Sequence, residues 1–124
     1  MHRNASPQDI LIIVHAPPYG NERCLSAWRR ALALATQAEN PPRLRVFLMS
    51  DATVLALPKQ QDASGQTLQK MVEELVALQV PVQLCRTCAL ARGLGDLPLI
   101  GGCCLGTLVE LAEATLQADK VIVF

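Results

Sequence analysis

The sequence is poor in aromatic residues, carries no excess of either charge, and has no long apolar run. Only 3% of its 124 residues are aromatic, and 11 Lys and Arg residues balance 11 Asp and Glu residues. Because there is no surplus of positive charge and no basic stripe, nucleic acid is not expected as a partner. The first apolar run, residues 10–14, is shorter than a signal-peptide core or the roughly 20 residues of a membrane span. We therefore expect a cytoplasmic protein with no membrane partner.

Aliphatic residues dominate what remains. Hydrophobic residues make up 51% of the chain and charged residues 18%, so the core is expected to consist mainly of Leu, Val, Ile and Ala, as in helix-covered sheets. The length predicts one domain, residues 1–124, with residues 1–8 as a flexible N-terminus. A mean hydropathy of +0.27 is high for a small domain, which has much surface to cover with polar groups. This predicts a homo-oligomer.

Short apolar runs alternate with segments of helical spacing. Strands are predicted at residues 10–14, 44–49, 80–84 and 121–124. Helices are predicted after the first two strands. After the third strand we predict a short helical turn capped by Thr87. The last helix is predicted to begin with a capping box at Thr107 and Glu110. This order predicts an α/β fold in three layers, with a mainly parallel, doubly wound, flavodoxin-like sheet and helices on both faces. In such sheets, functional sites lie beyond the carboxyl ends of the strands.

The cysteine content points to thiol chemistry. Five cysteines are many for so short a chain, and an odd number with no secretory signal favours reduced thiols over a disulfide scaffold. Cys85 directly follows the third predicted strand, where backbone N–H groups of the helical turn, with Arg86 and Arg92 nearby in sequence, would stabilise a nucleophilic thiolate. We predict an exposed, reactive thiol at Cys85. The alternative is a buried cysteine that only fills space.

Cys88 completes a Cys-x-x-Cys pair with Cys85. It could resolve a persulfide or sulfenate on Cys85 by forming a disulfide, or it could be a helix residue packed inward, and the spacing leaves both open. A zinc site of these two cysteines with Cys103 and Cys104 is disfavoured, because adjacent side chains diverge and the chain has a core without metal. No metal is expected. Cys24, Cys103 and Cys104 are predicted to be packing residues.

The loops after the predicted strands add weaker candidates. Tyr19 and Gly20 lie where Rossmann-type folds place a phosphate loop, but the Gly-x-Gly-x-x-Gly pattern is absent, so no nucleotide or other cofactor is predicted. Asp51 could orient the site or simply make a turn. His15 ends the first strand without a carboxylate that would mark it as a base. We take Tyr19, Gly20, Asp51 and Arg92 as candidate substrate-binding residues.

Six motifs are specific in combination and run through residues 10–124. They are Ala16-Pro17-Pro18-Tyr19-Gly20, Phe47-Leu48-Met49-Ser50-Asp51-Ala52, Val80-Pro81-Val82-Gln83-Leu84-Cys85-Arg86-Thr87-Cys88, Arg92-Gly93, Gly106-Thr107-Leu108-Val109-Glu110-Leu111 and Ala118-Asp119-Lys120-Val121. Together they resemble the YchN branch of the DsrE/DsrF-like family. The resemblance implies a sulfur-relay type of α/β fold that assembles as trimers or hexamers.

The resemblance also implies a function. In the sulfur-transferring members of the family, a cysteine after the third strand carries a persulfide, eight residues before the glycine of an Arg-Gly pair. Here that position is Cys85, with Gly93 as the glycine, and Cys88 matches the second cysteine typical of the YchN branch. A sulfur carrier or sulfurtransferase with sulfur donor and acceptor proteins as partners is therefore implied. The alternative is an oligomeric small-molecule-binding or thiol redox-switch protein without sulfur transfer.

Overall fold

The apolar runs form one parallel sheet in the computed structural model, which describes residues 6–37, 39–61 and 68–124. The strands are β1 (Asp9–Val14), β2 (Arg43–Leu48), β3 (Val82–Cys85), β4 (Cys103–Gly106) and β5 (Lys120–Val123). Every neighbouring pair is parallel, in the order β4-β3-β2-β1-β5. The carboxyl ends of all five strands therefore meet at one edge of the sheet.

Helices connect the strands and cover both faces of the sheet. They are α1 (Arg23–Ala35), α2 (Leu68–Ala77), α3 (Arg86–Ala91) and α4 (Leu108–Gln117), with a 3-10 helix at Ser50–Ala56. From β1 to β4 the chain adds each strand on the same side, and α4 then carries it back to β5 on the other side of β1. Because parallel crossovers are right-handed, this reversal places α4 on the face opposite α1 and α2. The predicted α/β fold with helices on both faces is confirmed.

The two faces of the sheet differ in how well they are covered. The face under α1, the 3-10 helix and α2, here called the first face, holds most of the buried core, including Trp28, Leu48, Leu55, Val72, Leu75 and Leu84. The second face, under α4, has a small buried cluster of Leu11, Phe47, Cys85 and Ala114. On β5, Val121 and Val123 pair in register with Leu11 and Ile13 but are 41% and 57% exposed. The second face is therefore covered only in part by the chain itself.

Two elements, β4 and the 3-10 helix, were not predicted from the sequence. Cys103 and Cys104 belong to edge strand β4, where Cys104 is exposed and so does not fill space as expected. α3 begins at Arg86, and its N-cap is Cys85 rather than Thr87. The predicted capping box at the start of the last helix is present.

The N-terminal prediction falls largely on residues that the structure does not describe. Residues 1–5 of the expected flexible segment lie outside the described residues. Closer to β1, the backbone carbonyl of Gln8 accepts a hydrogen bond from the N–H of Arg43 at 2.8 Å. In residues 6–37, 39–61 and 68–124, no helix is both long enough and apolar enough to cross a membrane.

Candidate functional site

The thiol of Cys85 lies where β3 ends and α3 begins. Cys85 is the last residue of β3 and the N-cap of α3, and its Sγ accepts a hydrogen bond from the backbone N–H of Cys88 at 3.4 Å. Ser and Thr hydroxyls commonly cap helices in this way, so the sulfur occupies the place of a capping oxygen. Because no loop separates strand from helix, the backbone on both sides of Cys85 is regular secondary structure.

Cys85 is enclosed within the single chain. Only 1% of the residue is exposed, and it packs in the cluster on the second face with Leu11, Phe47 and Ala114. The prediction of an exposed thiol is therefore wrong for the single chain. The reason is that the other members of this cluster, Leu11, Phe47 and Ala114, come from distant parts of the chain, which the residues around Cys85 do not reveal.

Burial also decides the protonation state of Cys85. It raises the pKa of the thiol above its ordinary value, because the thiolate loses its hydration. The backbone N–H groups of Cys88 and Thr87 lower the pKa but do not outweigh burial. The expected stabilised thiolate is thus wrong for the enclosed state, in which the thiol is neutral at neutral pH.

Cys88 lies in the first turn of α3 and is partly exposed. Its side chain packs against the edge of the same apolar cluster as Cys85. Its backbone carbonyl accepts a hydrogen bond from Nη1 of Arg92 at 3.2 Å, and Nε of Arg92 donates to Oδ1 of Asp51 at 2.9 Å. The ion pair joins α3 to the start of the 3-10 helix. Asp51 and Arg92, two of the predicted substrate-binding residues, are therefore brought to the thiol pair, Cys85 and Cys88.

Tyr19 and Gly20 are held elsewhere. The Tyr19 hydroxyl donates a hydrogen bond to Oε1 of Gln60 at 2.7 Å, and the Gln60 amide donates to two backbone carbonyls near the end of the 3-10 helix. Gly20 has a φ of +91°, a conformation that favours glycine. In the part of the chain that the structure describes, no hydrogen bond links either residue to the thiol pair.

A second polar pair lies at the same edge of the sheet. Nδ1 of His15, after β1, and Oγ of Ser50, after β2, are 3.0 Å apart. Ser50 has a φ of +54°, a conformation uncommon for a residue other than glycine and often found at functional sites. His15 is recognisable from its place at the end of the first strand, but a left-handed serine has no clear sequence signal, so no role was predicted for Ser50. Ser50 directly precedes Asp51 in the chain, so the His15–Ser50 pair and the Asp51–Arg92 ion pair meet at the start of the 3-10 helix.

The remaining cysteines do not join the thiol pair in a metal site. Burial raises the pKa of Cys24, in α1, to about 11, and it raises that of Cys103, in β4, to about 11 as well. Cys103 and Cys104 are adjacent in a strand, so their side chains point to opposite faces. Within the described residues, no group of three or more His, Cys, Asp or Glu side chains is arranged to hold a metal ion.

A cavity of about 780 Å³ lies at the opposite edge of the sheet from the thiols. It is lined near the starts of β1, β2 and β3 by residues that include Asp9, Arg43, Arg45, Leu78 and Pro81. Neither Cys85 nor Cys88 lines it. A ligand in this cavity would therefore not contact the thiol pair.

The fold and the site together define the class: a small α/β protein with a candidate thiol site, the Cys-x-x-Cys pair, at the carboxyl end of the third strand of its parallel sheet. Residues 8–124 match the model of the DsrE/DsrF-like family, and the chain belongs to that family. Protein YchN of Escherichia coli is 49% identical over 117 residues, which cover 94% of this chain and 99% of YchN.

Solved structures agree with this assignment. The crystal structure of E. coli YchN superposes with a TM-score of 0.88 at 49% identity and covers 94% of this chain and 99% of that chain. A protein of unknown function from Methanobacterium thermoautotrophicum superposes with a TM-score of 0.74 over 96% of this chain and 100% of that chain. Its identity is only 15%, so the likeness concerns the fold alone.

Proposed function

We propose that this protein is a sulfur carrier or sulfurtransferase that passes sulfane sulfur through a persulfide on Cys85. The DsrE-like family is commonly linked to sulfur relay, and the sequence resemblance implies that Cys85 corresponds to the persulfide cysteine of its sulfur-transferring members. The observation that carries the proposal is the capping geometry, in which the N–H of Cys88 donates to Sγ of Cys85 at 3.4 Å. The same donor would stabilise charge on a sulfur bound to Cys85.

The burial of Cys85 suits a carrier of a reactive intermediate. A persulfide is readily reduced by free thiols, and a closed site protects such an intermediate from side reactions. We propose that Arg92, which donates hydrogen bonds to the carbonyl of Cys88 and to Asp51, holds the donor or acceptor next to α3 together with Asp51. Tyr19 and Gly20 would contact only a larger partner, since they are held by other parts of the chain.

A persulfide-transfer experiment tests the proposal. The reduced protein is incubated with a small-molecule persulfide, and its intact mass and peptide map are measured. We expect a gain of one sulfur atom on the thiol pair, ending on Cys85, and loss of the Cys85 adduct in Cys85→Ser. The matched control is Cys104→Ser, which removes an exposed thiol outside the pair and should leave the adduct on Cys85 unchanged. An unmodified thiol pair in the wild-type protein would contradict the proposal.

A thiol redox switch without sulfur transfer is the second candidate. It is favoured by the same contact, because a hydrogen bond from Cys88 to the sulfur of Cys85 keeps the two residues close enough to form a disulfide after a small rearrangement. The persulfide experiment separates the two functions. A switch would give a reversible Cys85–Cys88 disulfide in redox buffers and no added sulfur.

We also propose that the protein acts as a homo-oligomer, a trimer or hexamer, in the cytoplasm. The support is the second face of the sheet, where α4 and β5 expose Val109, Leu116 and Val123 by 69%, 87% and 57%. Exposed apolar patches of this kind commonly mark interfaces. The five free cysteines fit a reducing compartment.

A further inference from the structure

The two cysteines of the Cys-x-x-Cys pair differ in burial. The capping residue, Cys85, is the more enclosed of the two. Cys85 is 1% exposed, whereas Cys88 is partly exposed at the surface of α3. We infer that Cys88 is the thiol that first receives sulfur from the donor, and that Cys85 takes the sulfur from Cys88. This inference rests on the proposed function, but it reverses the expected roles of the two cysteines.

Access to the sulfur atoms is the first argument. Attack on a persulfide requires the donor S–S bond to approach the accepting sulfur in line. The cluster around Cys85 consists of Leu11, Phe47 and Ala114 with partly buried apolar neighbours, so a donor would have to displace core side chains. Cys88 lies at the edge of this cluster. Sulfur bound covalently to Cys88 could reach Cys85 without a donor molecule entering the core.

The surroundings of Cys88 provide the second argument. Arg92 hydrogen bonds to the carbonyl of Cys88 at 3.2 Å and to Asp51 at 2.9 Å, which holds the backbone that carries the thiol. The side chain of Arg92 is 33% exposed, and Arg86 is exposed two residues before Cys88. A donor with an anionic group would therefore meet the guanidinium of Arg92, which also pairs with Asp51, beside the backbone of Cys88.

The first transfer is balanced without an external oxidant or reductant. The Cys88 thiolate attacks the outer sulfur of a small persulfide, R–S–SH. A bond forms between this sulfur and Sγ of Cys88, and the S–S bond of the donor breaks. The electron pair leaves with R–S⁻, which takes up the proton that Cys88 lost. The donor becomes a thiol and Cys88 becomes a persulfide.

The second transfer occurs within the pair. Sγ of Cys85 attacks the outer sulfur of the Cys88 persulfide, a bond forms to Cys85, and the bond to Cys88 breaks. The electron pair returns to Cys88, which takes up the proton released by Cys85. The hydrogen bond from the N–H of Cys88 to Sγ of Cys85 already joins the two residues, so this step needs only a local rearrangement.

Rapid-quench peptide mapping tests the order of the two thiols. The parent protein carries Cys104→Ser, so that the exposed thiol outside the pair cannot take up sulfur. This protein is mixed with glutathione persulfide. We expect the added sulfur on Cys88 first and on Cys85 later. Cys85→Ser should keep the adduct on Cys88. Cys88→Ser should slow the appearance of sulfur on Cys85 roughly tenfold or more, because a buried group then reacts only through local opening.

Native-state alkylation provides a second measurement that does not depend on persulfide chemistry. Iodoacetamide should modify Cys88 faster than Cys85 in the folded parent protein, and circular dichroism should show that Cys88→Ser is folded. Equal rates of sulfur gain at Cys85 with and without Cys88 would overturn the inferred order but leave the proposed function intact. No added sulfur on either thiol of the parent would overturn both.

Discussion

At the scale of single residues, the protein holds thiols in three kinds of environment. Cys24 and Cys85 are each 1% exposed, Cys88 lies at the edge of an apolar cluster, and Cys104 is exposed. Burial favours the neutral thiol, so the buried cysteines Cys24 and Cys85 resist ionisation. The reactivities of a buried, a partly buried and an exposed thiol can therefore be compared within one protein.

Cys24 links stability to alkaline pH. Its pKa is raised by burial from 9.0 to about 11 in the folded state. A raised folded-state pKa contributes stability that is fully present below the unfolded pKa and is lost as the pH rises through the folded pKa. Since the shift is about 2 units, the free energy of unfolding should fall by about 2–3 kcal/mol between pH 9 and 11 through this residue. Urea unfolding followed by the fluorescence of the buried Trp28 measures it.

The Cys24→Ala variant isolates this effect. It should lose stability at every pH because it leaves a small cavity, but its stability should decline less between pH 9 and 11 than that of the wild type. The exposed Cys104→Ala is the matched control and should follow the wild-type curve. Parallel decline of the wild type and Cys24→Ala would show that Cys24 does not titrate as described.

At the scale of elements, predictions succeeded where the sequence pattern was local and failed where it was not. The apolar runs of β1 and β2 and the capping box of α4 were recognised because neighbouring residues define them. β4 was missed because its sequence, Cys-Cys-Leu-Gly at residues 103–106, has no β-branched residue. It is a strand because its backbone pairs with β3. The position of Cys85 was predicted, but its burial was not, since the residues that share its cluster, among them Leu11 and Ala114, lie far from it in the sequence.

The cap of α4 is therefore expected to control both stability and access to Cys85. Oγ1 of Thr107 accepts the N–H of Glu110 at 3.1 Å, and Oε1 of Glu110 accepts the N–H of Thr107 at 2.9 Å. Thr107→Ala should lower the free energy of unfolding by about 1 kcal/mol and increase the native-state alkylation of Cys85. Thr107→Ser keeps the hydroxyl and should behave like the wild type. Unchanged alkylation in a destabilised Thr107→Ala would show that α4 does not limit access.

The same cap has a predictable pH dependence. The hydrogen bond from the backbone N–H of Thr107 lowers the pKa of Glu110, with a smaller contribution from Gln83. A lowered folded-state pKa contributes stability above the unfolded pKa, and this stability is lost as the pH falls through the folded pKa. The difference in stability between the wild type and Glu110→Gln, which removes the carboxylate itself, should therefore shrink below the ordinary carboxyl range. A constant difference at acidic pH would contradict this assignment.

At the scale of the whole molecule, the winding of the sheet explains why the site and the exposed apolar surface share one face. The chain places α1 and α2 on the first face and only α4 on the second. The short α4 contributes Ala114 to the buried cluster that contains Cys85 but leaves Val121 and Val123 of β5 exposed. A second copy that covered this face would complete the core and lie close to α4, which encloses the thiol. Assembly and access to Cys85 would then be coupled.

Leu116 offers the sharpest test of this assembly. It is 87% exposed on α4, although burying a Leu side chain fully is worth about 1.5–3 kcal/mol, so a partner that covered it would gain much of that energy. Leu116→Glu should shift the protein from oligomer towards monomer, measured by light scattering after size exclusion. Leu78→Glu, at a residue 42% exposed near the opposite edge of the sheet, is the matched control and should leave the mass unchanged. If the wild type is already monomeric, or if both variants lower the mass equally, the second face does not form the interface. If Leu116→Glu alone lowers the mass and also speeds alkylation of Cys85, the partner copy is part of the enclosure around that thiol.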